Sequence, residues 1–257
     1  MISQHYFTFP FYIPRTLRLF SNWPEYLFNY LSRRHQPAEY RLRSGIRLID
    51  SAGTMAGTLA VVYLRREYGL PHDARVIVDI GANMGCFSVF AADLCKDATV
   101  LCYEPESKNF EILNKNITAN HMQDRVHAYQ YAVAGDGGSR ELIVGESPLN
   151  SLVINSQSPR RQQVSCITLS DIIASHNLQQ IDFLKINCEG AEYEIIERCS
   201  ESDIAKLRKI RLEYHDFGDK QRNGRYLTGL LRERGFLIER FTTYCKESGF
   251  IWASRNG

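Results

Sequence analysis

The chain lacks several features that would assign it to a membrane, secreted or zinc-binding class. Its 257 residues contain no run of about 18 or more apolar residues, so no transmembrane helix is predicted. The seven cysteines are scattered and form no CxxC pair, which argues against a disulfide framework and a structural zinc site. Pro10 and Pro14 interrupt the apolar N-terminus, which also lacks the basic start and small-residue cleavage site of a secretory signal. These absences predict a cytoplasmic protein with reduced thiols.

The chain also lacks a strong charge of either sign. Lysine plus arginine number 31 and aspartate plus glutamate 29, so the composition gives no electrostatic reason to expect a nucleic-acid partner. Hydrophobic residues at 44% and charged residues at 23% are ordinary values for a globular protein. The length is sufficient for one substantial core and a small appendage.

Residues 1–72 differ in character from the rest and are predicted to form an N-terminal helical and hairpin appendage. Aromatic and arginine residues are frequent there, and the apolar spacing indicates short helices broken at Pro24. Residues 40–50 alternate like a hairpin with its turn at Ser44-Gly45, and a helix is expected over residues 58–68. Three interpretations stay open for this arm: packing against the core, a lid or dimer contact over a substrate crevice, and peripheral contact with anionic lipid.

Residues 73–257 alternate strands with helices, which is typical of an α/β domain built on a parallel sheet. A Gly- and Ser-rich stretch over residues 135–164 predicts an inserted hairpin and loop. The predicted strands cover residues 76–80, 99–103, 126–131, 182–186, 209–214, 236–243 and 250–253. The predicted helices cover residues 86–95, 107–120, 189–198 and 225–234.

The strongest local motif is a glycine-containing turn between the first strand of this domain and its helix. Gly81 and Gly85 would let the backbone turn tightly and approach a ligand, and the helix N-terminus offers unpaired N–H groups to an anionic group. Glu104 ends the next strand, where an acid can accept both hydroxyls of a ribose. The turn lacks the G-x-G-x-x-G spacing that seats a pyrophosphate, and Asp79 suits the amino-acid portion of S-adenosylmethionine, directly or through water. A strand-to-helix turn without a ligand is the alternative.

Five motifs in order resemble those of the FkbM-type methyltransferases. They are Asp79-Ile-Gly-Ala-Asn-Met-Gly-Cys-Phe-Ser, Tyr103-Glu-Pro-Glu, Ala132-Val133, Leu184-Lys-Ile-Asn-Cys-Glu-Gly-Ala-Glu192 and Glu213-Tyr-His215. The resemblance implies a class I methyltransferase fold, a Rossmann-like, seven-stranded and mostly parallel sheet with helices on both faces. It also implies S-adenosyl-L-methionine as methyl donor and O-methylation of a hydroxyl on a glycan, lipid or secondary metabolite. The expected cofactor contacts are Asp79, Gly81, Asn83, Gly85, Glu104, Ala132 and Val133.

A hydroxyl is a poor nucleophile unless its proton is removed as the new bond forms, so the site should hold a base. Glu189 is the first candidate for a base or substrate ligand, and His215 at the end of the next strand is the second. Both have structural alternatives: an acid stabilised at a helix N-terminus for Glu189, and a hydrogen-bonded histidine for His215. Glu192 is interpreted as a helix-surface or structural residue.

Asn187 is the third reaction-side candidate, and it stands where the family usually has aspartate. Asparagine keeps the shape and hydrogen bonding but neither the negative charge nor the proton-accepting power. No metal site is predicted, because a hard cation prefers carboxylates. Asn187 also keeps open the alternative that the chain is a non-catalytic cofactor-binding or scaffold protein. The other alternative is an N-methyltransferase of nucleic acid or protein.

Two further segments belong to the inserted stretch. Asn150-Ser151-Leu152 is either a polar turn or a crevice element, and Arg160-Arg161 is expected to be a solvated loop pair.

Overall fold

The computed structural model describes residues 12–32, 36–144, 160–245 and 248–255. Its helices are α1 (Ile13–Leu19), α2 (Trp23–Ser32), α3 (Met55–Leu59, continuing as a π-helix over Ala60–Arg65), α4 (Cys86–Leu94), α5 (Ser107–Ala119), α6 (Leu169–Ser175), α7 (Glu192–Arg198), α8 (Glu201–Ile204) and α9 (Gly224–Glu233). Its strands are β1 (Ala38–Arg41), β2 (Arg47–Asp50), β3 (Val76–Ile80), β4 (Thr99–Tyr103), β5 (Val126–Tyr129), β6 (Ala132–Val133), β7 (Gly138–Val144), β8 (Arg160–Ile167), β9 (Phe183–Ile186), β10 (Lys209–His215), β11 (Leu237–Cys245) and β12 (Ser248–Ser254).

Seven strands form the central sheet in the order β5-β4-β3-β9-β10-β12-β11. The five neighbouring strands β5, β4, β3, β9 and β10 pair in parallel. Strand β12 lies between β10 and β11 and is antiparallel to both. The central strands β3 and β9 are almost entirely buried, as expected where helices cover both faces of a parallel sheet. The predicted Rossmann-like, mostly parallel sheet of a class I methyltransferase is confirmed.

The N-terminal appendage packs into the same hydrophobic core as the helices of the sheet. Phe20 and Tyr26 are fully buried and stack with ring centroids 4.4 Å apart, while Tyr63 meets Phe90 of α4 edge to face at 5.0 Å. Among the three interpretations of the arm, packing against the core describes this part of it. The division of the chain at residues 72 and 73 stays a prediction. None of the described helices has the length and apolar character needed to cross a membrane.

The inserted stretch contributes β7 and most of β8 to a second, three-stranded sheet in the order β6-β8-β7. The antiparallel pair β7 and β8 is the expected hairpin, and β6 joins β8 in parallel. Arg160-Arg161 lies on β8 rather than in a loop, and Arg161 pairs with Glu141 of β7 at 2.6 Å. Asn150-Ser151-Leu152 lies outside the described residues.

Two helices differ from their predicted positions for reasons of backbone geometry. The helix expected from residue 189 begins at Glu192, because Glu189 and Gly190 have φ values of 54° and 114°, which no right-handed helix allows. The helix expected over residues 58–68 begins at Met55 and ends at Arg65, followed by Arg66 in the left-handed conformation. The short helices α6 and α8 were not predicted.

Candidate active site

The candidate site lies at the carboxyl ends of β3 and β9, where the strand order of the sheet reverses. Ligands of open α/β sheets bind at this point. A cavity of ≈ 250 Å³ opens there, and Gly81 and Asn187 both line it. Gly81 has φ +74°, and a Cβ on it would come within 1.8 Å of the Asn187 backbone oxygen. The two chain segments therefore approach each other in a way that only glycine permits.

Glu104, at the end of β4, is held by backbone donors on the cavity wall. The N–H of Asn83, itself in the left-handed conformation, donates to Glu104 Oε2 at 2.8 Å, and the N–H of Glu106 donates to Oε1 at 2.9 Å. Burial raises the pKa of Glu104 to about 7, although the two backbone hydrogen bonds oppose this effect. Each carboxylate oxygen retains acceptor capacity, so this side chain can receive the vicinal hydroxyls of a ribose.

Ala132 and Val133 of β6 line the cavity together with Tyr131 and Leu142. The side chains of Ala132, Val133 and Leu142 are almost fully buried. This part of the wall is therefore apolar and can contact a flat ring without an unsatisfied polar group.

Two predicted cofactor residues lie behind the cavity wall instead of on it. A Cβ on Gly85 (φ +83°) would lie 2.5 Å from Leu113 Cδ1, so this glycine allows α4 to begin close to α5. Asp79 is completely buried: its Oδ2 accepts a hydrogen bond from Ser88 at 2.6 Å, and its Oδ1 lies 2.8 Å from Lys185 Nζ. Asp79 was predicted to contact the cofactor directly or through water, and in this geometry both of its carboxylate oxygens already have partners within the protein.

Lys185 belongs to the motif that ends at Glu192, but it is not among the predicted site residues. Its buried ammonium donates to the carbonyl oxygens of Gly81 at 2.7 Å and Ile80 at 3.3 Å, besides pairing with Asp79. The parallel register places Asp79 directly opposite Lys185 in neighbouring strands. A lysine and an aspartate inside two otherwise apolar strands are the signal that could have revealed this pair, which fixes the glycine turn against β9.

Glu189, His215 and Glu192 form a carboxylate–imidazole–carboxylate array next to the cavity. His215 Nε2 lies 3.1 Å from Glu189 Oε2, and His215 Nδ1 lies 3.0 Å from Glu192 Oε1. The fully buried Glu192 also accepts the backbone N–H groups of His215 at 2.8 Å and Gly190 at 2.7 Å. Glu192 is thus a buried anchor, not a helix-surface residue, and it fixes the orientation of the imidazole. Of the three, Glu189 lines the cavity.

The charges of this array follow from burial and mutual proximity. Burial alone would lower the pKa of His215, but the neighbouring Glu192 and Glu189 carboxylates outweigh it and raise the pKa to about 9. Burial raises the pKa of Glu189 to about 7, against the opposing effect of His215. Near neutral pH the imidazole is therefore a cation, and Glu189 can exchange a proton.

Asn187 offers an unused polar atom to a ligand. Its side-chain oxygen is buried and accepts no hydrogen bond from any described residue, which is costly unless a bound molecule supplies the donor. This atom, the glycine cradle at Gly81, the Glu104 carboxylate and the N-terminus of α4 fit the hydroxyls, ammonium and carboxylate of S-adenosylmethionine. Within the described ranges no group of three His, Cys, Asp or Glu side chains has the geometry to hold a metal ion.

A seven-stranded sheet in this order, with a nucleoside-compatible cavity at its switch point, defines a class I methyltransferase. The family model "Methyltransferase FkbM domain" matches residues 79–238, more than half of the chain, so this chain belongs to the FkbM methyltransferase family. It is an S-adenosylmethionine-dependent methyltransferase, with S-adenosyl-L-methionine as the methyl donor.

Individual relatives resemble the chain at modest identity. It is 28% identical to the 31-O-demethyl-FK506 methyltransferase FkbM of Streptomyces tacrolimicus, over 68% of this chain and 77% of that protein. It is 29% identical to the AMB antimetabolite synthetase AmbE of Pseudomonas aeruginosa over 69% of this chain, but it spans only 10% of that protein. The solved structure of the methyltransferase FkbM from Methylobacillus flagellatus has the same fold, with a TM-score of 0.51, 16% identity, and coverage of 76% of this chain and 47% of that one.

Proposed function

We propose that this protein transfers a methyl group from S-adenosylmethionine to a hydroxyl oxygen of a small molecule, glycan or lipid. The observation that carries the proposal is the Glu192–His215–Glu189 array beside the cavity. A sulfonium-bound methyl group is already activated for transfer, so the protein must align the nucleophile, exclude water and accept one proton.

In the proposed reaction, Glu189 accepts the hydroxyl proton as the oxygen–methyl bond forms and the sulfur–methyl bond breaks. A carboxylate with a pKa of about 7 is well matched to this task near neutral pH. His215 acts as a positioning residue, because its Nε2 holds Glu189 while Glu192 orients the ring through Nδ1. The proton then passes from Glu189 to solvent, and S-adenosylhomocysteine and the methyl ether leave.

The proposed cofactor contacts divide into direct and supporting groups. Glu104 accepts the ribose hydroxyls, while Gly81, Asn83 and the Ala132–Val133 backbone shape the surface around the nucleoside. Asp79 and Gly85 support the turn from behind, Asp79 through Lys185 and Gly85 through the position of α4. The Asn187 side-chain oxygen accepts a hydrogen bond from the cofactor or from the substrate.

The name of the Streptomyces relative supports an oxygen acceptor, since that protein is called a 31-O-demethyl-FK506 methyltransferase. The near-neutral net charge of +2 favours a small-molecule acceptor over nucleic acid. A cytoplasmic location, predicted from the sequence, remains a prediction.

Transfer of labelled methyl to separated pools of RNA, protein, glycolipid and small metabolites tests the proposal. We expect label in an ether of the metabolite or glycolipid pool. Glu189→Gln should lower kcat by roughly 10²- to 10⁴-fold without changing the affinity for S-adenosylhomocysteine. The control is Glu111→Gln, which removes an exposed carboxylate on α5 that pairs with Lys115. Label confined to RNA or protein, or full activity in Glu189→Gln, would contradict the proposal.

A further inference from the structure

The cavity has an apolar end that the cofactor contacts proposed above do not use. Met55 of α3 and Val61 and Val62 of the following π-helix line this end, together with Phe87 of α4. All but the partly buried Val61 are almost fully buried. π-helical turns are rare in proteins, and those that do occur are often found at functional sites. The N-terminal appendage therefore supplies part of the cavity wall, and that part presents carbon atoms to whatever binds there.

Glu213 gives this apolar end a polar anchor. It lies near the end of β10, lines the cavity and accepts a hydrogen bond from the hydroxyl of Tyr244 on β11. Burial raises the pKa of Glu213, with the charges of His215 and Lys185 acting in the opposite direction. In the reaction proposed above Glu189 accepts the proton, which leaves Glu213 available to contact the acceptor.

The charges around the cavity do not favour an anionic acceptor. Among the described residues that line it, Glu104, Glu189 and Glu213 are acids and Lys185 is the only lysine or arginine. The Lys185 ammonium already meets Asp79 Oδ1, the Gly81 oxygen and the Ile80 oxygen, which occupy its three N–H donors. Outside the described structure, residues 1–11 and 145–159 contain neither lysine nor arginine, whereas Arg33, Arg34 and Lys246 belong to the other undescribed segments.

We infer that the acceptor is an uncharged or cationic hydroxyl compound with an apolar face, and that Glu213 binds a second hydroxyl or an amine of this compound. This inference rests on the proposed function and narrows its substrate class. An acceptor carrying a phosphate or carboxylate would bring a negative charge next to three acids in a cavity whose described lining offers no unpaired lysine or arginine, and desolvating that charge is costly. The Glu213 carboxylate can instead accept a hydrogen bond from a hydroxyl or amine of a substrate that packs against the apolar wall, and this hydrogen bond would stabilise the complex.

Fractionation of a metabolite and lipid extract of the source cells by charge tests the substrate class. The extract is separated on anion- and cation-exchange resins, and each fraction is incubated with the full chain and methyl-labelled S-adenosylmethionine. We expect labelled ether in the neutral or cationic fractions. Label in the anionic fraction alone would overturn the inference and leave the proposed function intact. No label in any fraction, while S-adenosylhomocysteine still binds, would contradict the proposed function and with it this inference.

Glu213→Gln tests the anchor on the fraction that accepts label. We expect the KM for the acceptor to rise about tenfold, because a charge-assisted hydrogen bond is replaced by a neutral one, while kcat changes less than twofold. The dissociation constant of S-adenosylhomocysteine should stay the same in Glu213→Gln and in the control Glu111→Gln. A fall in kcat at constant KM, or a loss of S-adenosylhomocysteine binding, would show that Glu213 does not bind the acceptor.

Discussion

Replacement of Glu104 by glutamine should weaken cofactor binding and abolish its pH dependence. In the free protein the pKa of Glu104 is raised to about 7, so the carboxyl is largely protonated at pH 5.5. Two ribose hydroxyls would donate to the ionised form and lower the pKa again, so binding requires loss of the proton. Affinity for S-adenosylhomocysteine should therefore fall roughly 30-fold between pH 8 and pH 5.5, since 1.5 pH units below the pKa correspond to ~2 kcal/mol.

Calorimetric titration with S-adenosylhomocysteine across this pH range is the assay. At pH 8, Glu104→Gln should raise the dissociation constant by roughly 30- to 150-fold, as expected when ~2–3 kcal/mol of charge-assisted hydrogen bonding is lost. Glu104→Gln should also remove the dependence of this dissociation constant on pH. Glu189→Gln is the matched control, because the pKa of Glu189 is also raised to about 7 but its side chain lies at the reaction end. Equal pH profiles for the parent and Glu104→Gln would refute the reasoning.

Three further substitutions test other parts of the site. Gly81→Ala would place a Cβ 1.8 Å from the Asn187 oxygen and should abolish S-adenosylhomocysteine binding in calorimetry, whereas Gly57→Ala, with open space around its Cβ, should bind normally and raise Tm slightly. The pKa of His215 in the folded protein, about 9, exceeds its ordinary 6.5, so its stabilising effect is complete below pH 6.5 and is lost as pH rises through about 9. Denaturant unfolding should show that decline in the parent, and His215→Gln should flatten it. Asn187→Asp should retain or increase turnover in the methyl-transfer assay; activity that appears only in this variant would favour a non-catalytic parent protein.

The central strands could be predicted closely because burial on both faces leaves a strong local pattern. Val76–Ile80 and Thr99–Tyr103 have the bounds predicted for residues 76–80 and 99–103. The start of α7 could not be predicted in the same way, since Glu189 adopts the left-handed conformation and the apolar pattern does not reveal it. An acid at a helix start and an acid in a turn before the helix look alike in one sequence.

The site was predictable where it depends on strand ends and not where it depends on register. Gly81 and Glu104 follow neighbouring strands, so a shared sheet edge brings them together. The Asp79–Lys185 pair joins residues that are distant in the chain, and only the parallel register of β3 with β9 places them opposite each other. The contribution of Val62 to the cavity wall was likewise not predicted, because a helical apolar face does not reveal what packs against it.

A crystal structure of the full chain with bound S-adenosylhomocysteine is the most direct test of the proposed cofactor site. We expect both ribose hydroxyls within hydrogen-bond distance of the Glu104 carboxylate, and the sulfur atom directed toward the part of the cavity that Asn187 and Glu189 line. A nucleoside bound elsewhere, or a cavity closed by side chains with Glu104 still held only by its backbone donors, would contradict it.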